Sequence, residues 1–214
     1  MTNSVQKHSK NLPCVILAGG KSSRMQGENK ALINLGGKRL IDHVIIKLRR
    51  STHNIALNVN SEIEIFEKYE LPLLKDTLEG YLGPLAGVSS AMRWAEELGS
   101  SKVITVAADT PFFPSHLYDI FSSFSAEFDI VMASSRQPDG KNRRHPIFCT
   151  WSVHLRNELE VAIKRGVRKI VDWTDQYNVK NVIFEQKLDF DPFFNVNTRD
   201  DLLVAKRILD KGYQ

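Results

Sequence analysis

Apolar blocks alternate with amphipathic stretches along most of this chain, and their lengths separate strands from helices. Cys14-Val15-Ile16-Leu17 is a short apolar run containing β-branched residues, which predicts a strand. After it, Leu40, Ile41, Val44, Ile45 and Leu48 fall on one face of a helix. Residues 54–59 read as a strand, 62–69 as a short helix and 71–75 as a strand. A helix over 83–98 opens with Gly-Pro, and 102–108 is a continuous apolar strand of the kind buried on both faces. Leu117, Ile120, Phe121 and Phe124 mark a helix behind Pro114. Strands are expected at 128–134, 146–150 and 179–185, with a helix at 152–165. The last helix, 198–210, starts from a Thr198–Asp201 capping pair.

This alternation predicts one α/β domain over 12–214, a three-layer Rossmann-like arrangement with a mainly parallel sheet and right-handed crossovers. The stretch 134–197 alternates less cleanly, so antiparallel strands are expected there. Residues 1–11 are polar, lack an apolar signal core and are expected to form a disordered lead-in. No linker and no internal repeat stands out.

Composition narrows the class. The 214 residues are 42% hydrophobic and 25% charged, as in a soluble globular protein. No apolar run approaches the roughly 20 residues that a membrane span needs. Cys14 and Cys149 carry no C-x-x-C spacing, which argues against a zinc site or a disulfide framework and for a reducing cytoplasm. The net charge of +4 suits a polyanionic ligand. Nucleic-acid binders concentrate basic residues in a patch, and only "KNRRH" at 141–145 comes close, without interleaved aromatics for stacking. Neither a nucleic acid nor a membrane is expected as a partner.

The polar residues cluster where an open parallel sheet binds its ligands, beyond the carboxyl ends of the strands. Ala18, Gly19 and Gly20 follow the first strand, Asn58 and Asn60 end the second, Asp76 follows the third, and Asp109 follows 102–108. Turns favour Gly, Asn and Asp for conformational reasons alone, so each by itself is open to a bland reading. Asp109 sits where the chain leaves the sheet, open to a metal, ribose or turn role. Lys21, Arg24 and Lys30, with Ser22 and Ser23, make the first loop cationic, which suits a phosphate. Two common phosphate motifs fail. Val15 stands where a P-loop needs glycine, and the adjacent glycines do not fit G-x-G-x-x-G.

"LAGGKSSRM", Lys30 and the "GGK.L" that follows it resemble the signature of the molybdenum cofactor guanylyltransferases, a branch of the wider nucleotidyltransferases. "NVN" (58–60), Asp76, "GPLAG" (83–87), "ADTPF" (108–112), "RHP" (144–146) and "NVNT" (195–198) extend the resemblance over nearly the whole chain. It implies a nucleotidyltransferase fold and an enzyme that transfers GMP from GTP to Mo-molybdopterin, releasing pyrophosphate. It further implies that Leu17, Ala18, Gly19 and Gly20 hold the guanine nucleotide through their backbone. Lys30 would contact its phosphates, Asn58 and Asp76 its base or ribose, and Asp109 Mg²⁺, with Mn²⁺ as an alternative. Arg24, Lys30 and Asp109 would form the catalytic set. Arg144, His145, Asn195 and Asn197 would face molybdopterin, with 141–146 as a surface loop beside the crevice. A monomer is expected, in transient contact with other molybdenum-cofactor proteins and acceptor molybdoenzymes.

Three positions depart from the family pattern: Asn29 where Asp usually precedes the lysine, Gln26 where glycine is common, and Arg39 where proline is usual. Asn29 matters most, because Lys30 then needs another partner to orient it. The rivals are a cytidylyltransferase on the same cofactor, whose loop more often reads L-A-A-G, a sugar-phosphate nucleotidyltransferase, and a non-catalytic nucleotide-binding regulator. Trp94, Trp151 and Trp173 are explained by packing as well as by a pterin cleft, and Asp189 and Asp191 read as turn carboxylates.

Overall fold

Seven strands form one twisted sheet with helices on both faces. The computed structural model describes residues 12–19, 29–78, 83–185 and 190–213. The first strand, β1 (Cys14–Leu17), leads into a 3-10 turn (Lys30–Leu32), a small hairpin of β2 (Asn34–Leu35) and β3 (Lys38–Arg39), and helix α1 (Leu40–Leu48). Then come β4 (Ile55–Asn58), the single-turn α2 (Ile63–Phe66), β5 (Leu73–Leu74), α3 (Pro84–Glu97) and β6 (Lys102–Ala107). The second half holds α4 (Leu117–Phe124), β7 (Ile130–Arg136), β8 (Asn142–Ser152), α5 (Arg156–Lys164), α6 (Ile170–Thr174), β9 (Val179–Phe184) and α7 (Arg199–Asp210).

The strand order is β5-β4-β1-β6-β8-β7-β9. Among the described strands of this sheet, β8 alone runs antiparallel, against both β6 and β7, which is where the sequence pattern lost its regular alternation. Period-two alternation along β1 assigns the two faces. Cys14 and Ile16 pack with α1 and α4 through Ile41, Val44, Leu117 and Phe121. Val15 packs with α3, α5 and α6 through Val88, Leu159 and Trp173. A third cluster joins the β2–β3 hairpin to α7, where Leu35 and Leu40 meet Phe112, Val196 and Ala205. This third cluster matters for function, because it draws the chain near the C-terminus back over the end of β6.

Residues 142–145, expected in a surface loop, are the first residues of β8, paired with Ala133–Arg136 of β7. Asn142, Arg143 and Arg144 are all exposed, so no alternation marked them as strand. The turn itself is confined to Gln137–Lys141, closed by the Gln137 N–H on the Lys141 carbonyl at 2.8 Å. Because β7 and β9 run parallel to each other and β8 runs against β6, this hairpin projects from the same sheet edge as Asp109.

Candidate functional site

A pocket of about 80 Å³ opens at the carboxyl ends of β1 and β6, lined by Leu17, Ala18, Lys30, Ala108 and Asp109 among others. Its floor is fixed by the sheet. The Ala18 N–H bonds the Asn58 carbonyl at 2.9 Å, and the Ala108 N–H bonds the Leu17 carbonyl at 3.1 Å.

Asp109 stands half-buried at the mouth. Burial raises its pKa, opposed first by the Lys30 ammonium and then by its own backbone N–H, the Thr110 hydroxyl and the Asn195 side chain. The segment Asn195-Val196-Asn197 docks directly on it, with the Val196 N–H donating to the Asp109 carbonyl at 2.9 Å. Val196 itself is fully buried in the third cluster. The residues on either side serve the other groups of the pocket: the Asn195 side chain faces the Asp109 carboxyl and favours its charged form, and Asn197 reaches Lys30.

Lys30 lies on the 3-10 turn, and its Nζ donates to Asn197 Oδ1 at 2.6 Å. Asn29, which replaces the family's usual Asp, accepts the Ala31 N–H at 3.2 Å and caps that turn. The amide therefore keeps the local capping role, and the orienting partner for the lysine comes from the far end of the chain. Asn195 and Asn197, expected beside His145 on the molybdopterin side, belong in this structure to the Lys30–Asp109 pocket.

Asn58 is buried, and both its amide hydrogens are committed, to the Leu74 carbonyl at 3.2 Å and Asp76 Oδ1 at 3.0 Å. Asn60 donates to Asp76 Oδ2 at 2.8 Å and accepts the Asp76 N–H at 2.9 Å. Asp76 is thus held from both sides, and Asn58 acts through it. Two glycines make room. A Cβ at Gly19 would lie 2.7 Å from Asn60 Nδ2, and one at Gly87 would lie 2.6 Å from Asn58 Oδ1. Gly83 caps α3 at φ +75°, a conformation that glycine adopts without strain.

Arg144 and His145 part company. Arg144 sits on the open surface with its guanidinium on both carboxylate oxygens of Asp175. His145 is buried, its Nε2 is 2.8 Å from the Ser135 hydroxyl, and its ring stacks on Phe193 at 4.3 Å. The two neighbours thus differ in setting, Arg144 ion-paired on the surface and His145 held in the interior. Trp151 and Trp173 are core residues, 0% and 1% exposed. Asp191 accepts the Phe193 N–H at 2.9 Å, as a turn carboxylate does. Gly20, Lys21, Ser22, Ser23, Arg24, Gln26 and Asp189 lie outside the described residues. The polar contacts of Ser135 and Gln137 were not foreseen, since an isolated Ser or Gln carries no pattern of its own.

A family profile described as the MobA-like NTP transferase domain matches residues 14–179. The chain belongs to this family. Within the MobA-like family it resembles the molybdenum cofactor guanylyltransferase of Mesorhizobium japonicum, 36% identical over 201 residues that cover 91% of this chain and 94% of that protein. The protein of the same name from Haemophilus influenzae strain 86-028NP is 35% identical over 191 residues, covering 89% of this chain and 95% of that one. Among solved structures, molybdopterin-guanine dinucleotide biosynthesis protein A from Archaeoglobus fulgidus superposes with a TM-score of 0.75 at 26% identity, over 94% of this chain and all of that one. The synthase of 4-diphosphocytidyl-2C-methyl-D-erythritol from Anaerococcus prevotii, at 15% identity and a TM-score of 0.72 over 94% of this chain and 97% of that one, shares the fold.

Proposed function

We propose that this chain transfers GMP from GTP to the terminal phosphate of Mo-molybdopterin, giving the guanine dinucleotide form of the cofactor and pyrophosphate. The observation that carries the reading is the convergence of Lys30, Asp109, Asn195 and Asn197 on one pocket at the sheet's carboxyl edge, in a chain whose relatives bear that activity in their names. The attacking group is a phosphate monoester with a second pKa near 6, so it arrives as an anion and needs no protein base. Repulsion between two anions is the obstacle, and alignment is the protein's task. Lys30, aimed by Asn197, neutralises phosphate charge from one side. By resemblance, the backbone N–H groups of the loop that follows Ala18 would donate to the phosphates and Arg24 would add a second cation.

Asp109 fits a divalent cation of the Mg²⁺ or Mn²⁺ kind. No group of three His, Cys, Asp or Glu gathers among the described residues. That suits a cation held by one carboxylate and completed by substrate phosphates and water. When bound, the cation supplies charge neutralisation on the phosphate oxygens.

Asn58, Asn60 and Asp76 form a hydrogen-bonded, acceptor-rich wall next to Gly19, suited to the ribose or the base. Cys14 and Cys149 are free and buried, which suits a cytoplasmic enzyme that hands its product to acceptor molybdoenzymes. The test supplies purified protein with Mo-molybdopterin, Mg²⁺ and each nucleoside triphosphate in turn, and reads pyrophosphate release. GTP alone should be consumed. Equal use of CTP would favour a cytidylyltransferase, and no consumption would overturn the reading.

A further inference from the structure

At the far end of the segment that carries Asn195 and Asn197 lies a buried polar knot. Ser135, at 0% exposure near the end of β7, is its centre. A serine hydroxyl has one proton to give, and here it goes to Asp191 Oδ2 at 3.0 Å. Gln137 Nε2 donates to the same hydroxyl oxygen at 3.0 Å and lies 3.3 Å from Asp191 Oδ2. With the hydroxyl proton given to Asp191, the oxygen's remaining lone pair faces His145 Nε2 at 2.8 Å and suits the tautomer that carries its proton there. The other Asp191 oxygen takes the Phe193 N–H at 2.9 Å. Phe193 is in turn boxed by His145 at 4.3 Å, Phe148 at 5.0 Å and Phe184 at 5.4 Å.

These are the side chains of a hydrolase triad in a different arrangement. In a triad the carboxylate orients the imidazole and the serine faces substrate. Here the carboxylate accepts from the serine, and the serine is sealed from solvent. The knot holds its own backbone instead, and every proton in it has a destination.

What it holds is the upstream anchor of the segment 191–197. The downstream anchor is Asp201 Oδ2, which accepts the Asn197 N–H at 3.0 Å and the Thr198 N–H at 2.8 Å. Between the anchors, Val196 docks on Asp109 and the two asparagines reach the reactive pocket. We propose that Ser135, His145 and Asp191 are positioning residues for the transfer reaction, fixing the segment that presents Asn195 to Asp109 and Asn197 to Lys30. The proposal rests on reading that pocket as the site of guanylyl transfer.

The test is a set of mutant cycles read as kcat and KM for GTP, with thermal stability measured alongside. Ser135→Ala and His145→Phe should each lower kcat/KM about tenfold in the otherwise unmodified protein. In a background lacking both amides (Asn195→Ala with Asn197→Ala) the same changes should cost less than about twofold, because the groups they position are gone. A purely structural role would give the same factor in both backgrounds and overturn the proposal. If Ser135→Ala does not fold, Gln137→Ala at the knot's edge runs the same cycle, with a smaller first effect and the same collapse. An unmodified protein that consumes no GTP would overturn the functional reading and this inference together. Normal turnover with factors that multiply unchanged would remove only this one.

Discussion

The Lys30 ammonium and the Asn197 side-chain oxygen, 167 positions apart in the chain, meet at 2.6 Å. The contact aims a cation without cancelling it. A neutral amide leaves the full positive charge for a phosphate, whereas a carboxylate at the same place would compete for it.

Removing that amide should therefore hurt catalysis more than folding. Asn197→Ala is expected to lower kcat/KM for GTP about tenfold, within the range for a hydrogen bond to a charged group. Asn197→Asp should fold at least as well and bind GTP more weakly, because its carboxylate engages Lys30 first. Steady-state kinetics and thermal melts on the two variants check both. A GTP affinity for Asn197→Asp equal to that of the unmodified protein would show that Lys30 does not meet the phosphates.

Asp109→Asn should abolish transfer and leave the fold intact. Burial already disfavours the charged form of Asp109, so a neutral amide of the same shape spares the protein that desolvation cost. Its melting temperature should be equal or higher. Pyrophosphate release should disappear, since a neutral amide holds a Mg²⁺-type cation far more weakly than a carboxylate does. Near-normal turnover in a folded variant would remove the cation from Asp109.

How far the sequence reached depended on the length and burial of each element. The fully buried runs of β1, β4 and β6 and the amphipathic α1, α3, α4 and α7 were legible because both periodicity and length identified them. The β2–β3 hairpin, two residues a side, and the five-residue α6 were too short to show a period. The start of β8 was hidden because its pairing partner, not its own pattern, makes it a strand. In the site, the strand-end residues Ala18, Asn58 and Asp109 could be placed by topology. The long-range contact of Asn197 with Lys30 could not, because it depends on Val196 docking into a cluster built from the hairpin and α7.

The two glycines crowded against Asn58 and Asn60 should differ in a predictable order. A methyl at Gly87 would lie 2.6 Å from the buried Asn58 Oδ1 and 3.2 Å from a Leu17 methyl, with little room to yield. Gly87→Ala is expected to cost about 1–3 kcal/mol, as overpacking of a filled core does. The methyl of Gly19→Ala would press on the Asn60 amide, which is exposed at its outer side and can rotate at the expense of Asp76. That variant should lose less stability and show a raised KM for GTP. Urea unfolding and kinetics on the pair test the order. A Gly19→Ala variant with unchanged KM would detach the Asn60–Asp76 wall from the nucleotide.

Acid should expose the buried histidine. Burial pulls the His145 pKa from the ordinary 6.5 down to about 4, with Asp191 opposing and Arg143 reinforcing the shift. Between those values the unfolded chain binds a proton that the folded chain refuses, so stability rises with pH across the window. His145 thus contributes no penalty above about pH 6.5 and a growing one as pH falls towards 4. Other carboxylates titrate in the same range, so the comparison must be with a variant that lacks the imidazole. His145→Phe keeps an aromatic ring against Phe193 and loses the bond to Ser135, an offset that does not depend on pH. Its unfolding free energy in urea should therefore fall less than that of the unmodified protein between about pH 7.5 and pH 4.5. Parallel losses in the two proteins would mean that His145 takes up its proton in the folded state at an ordinary pH.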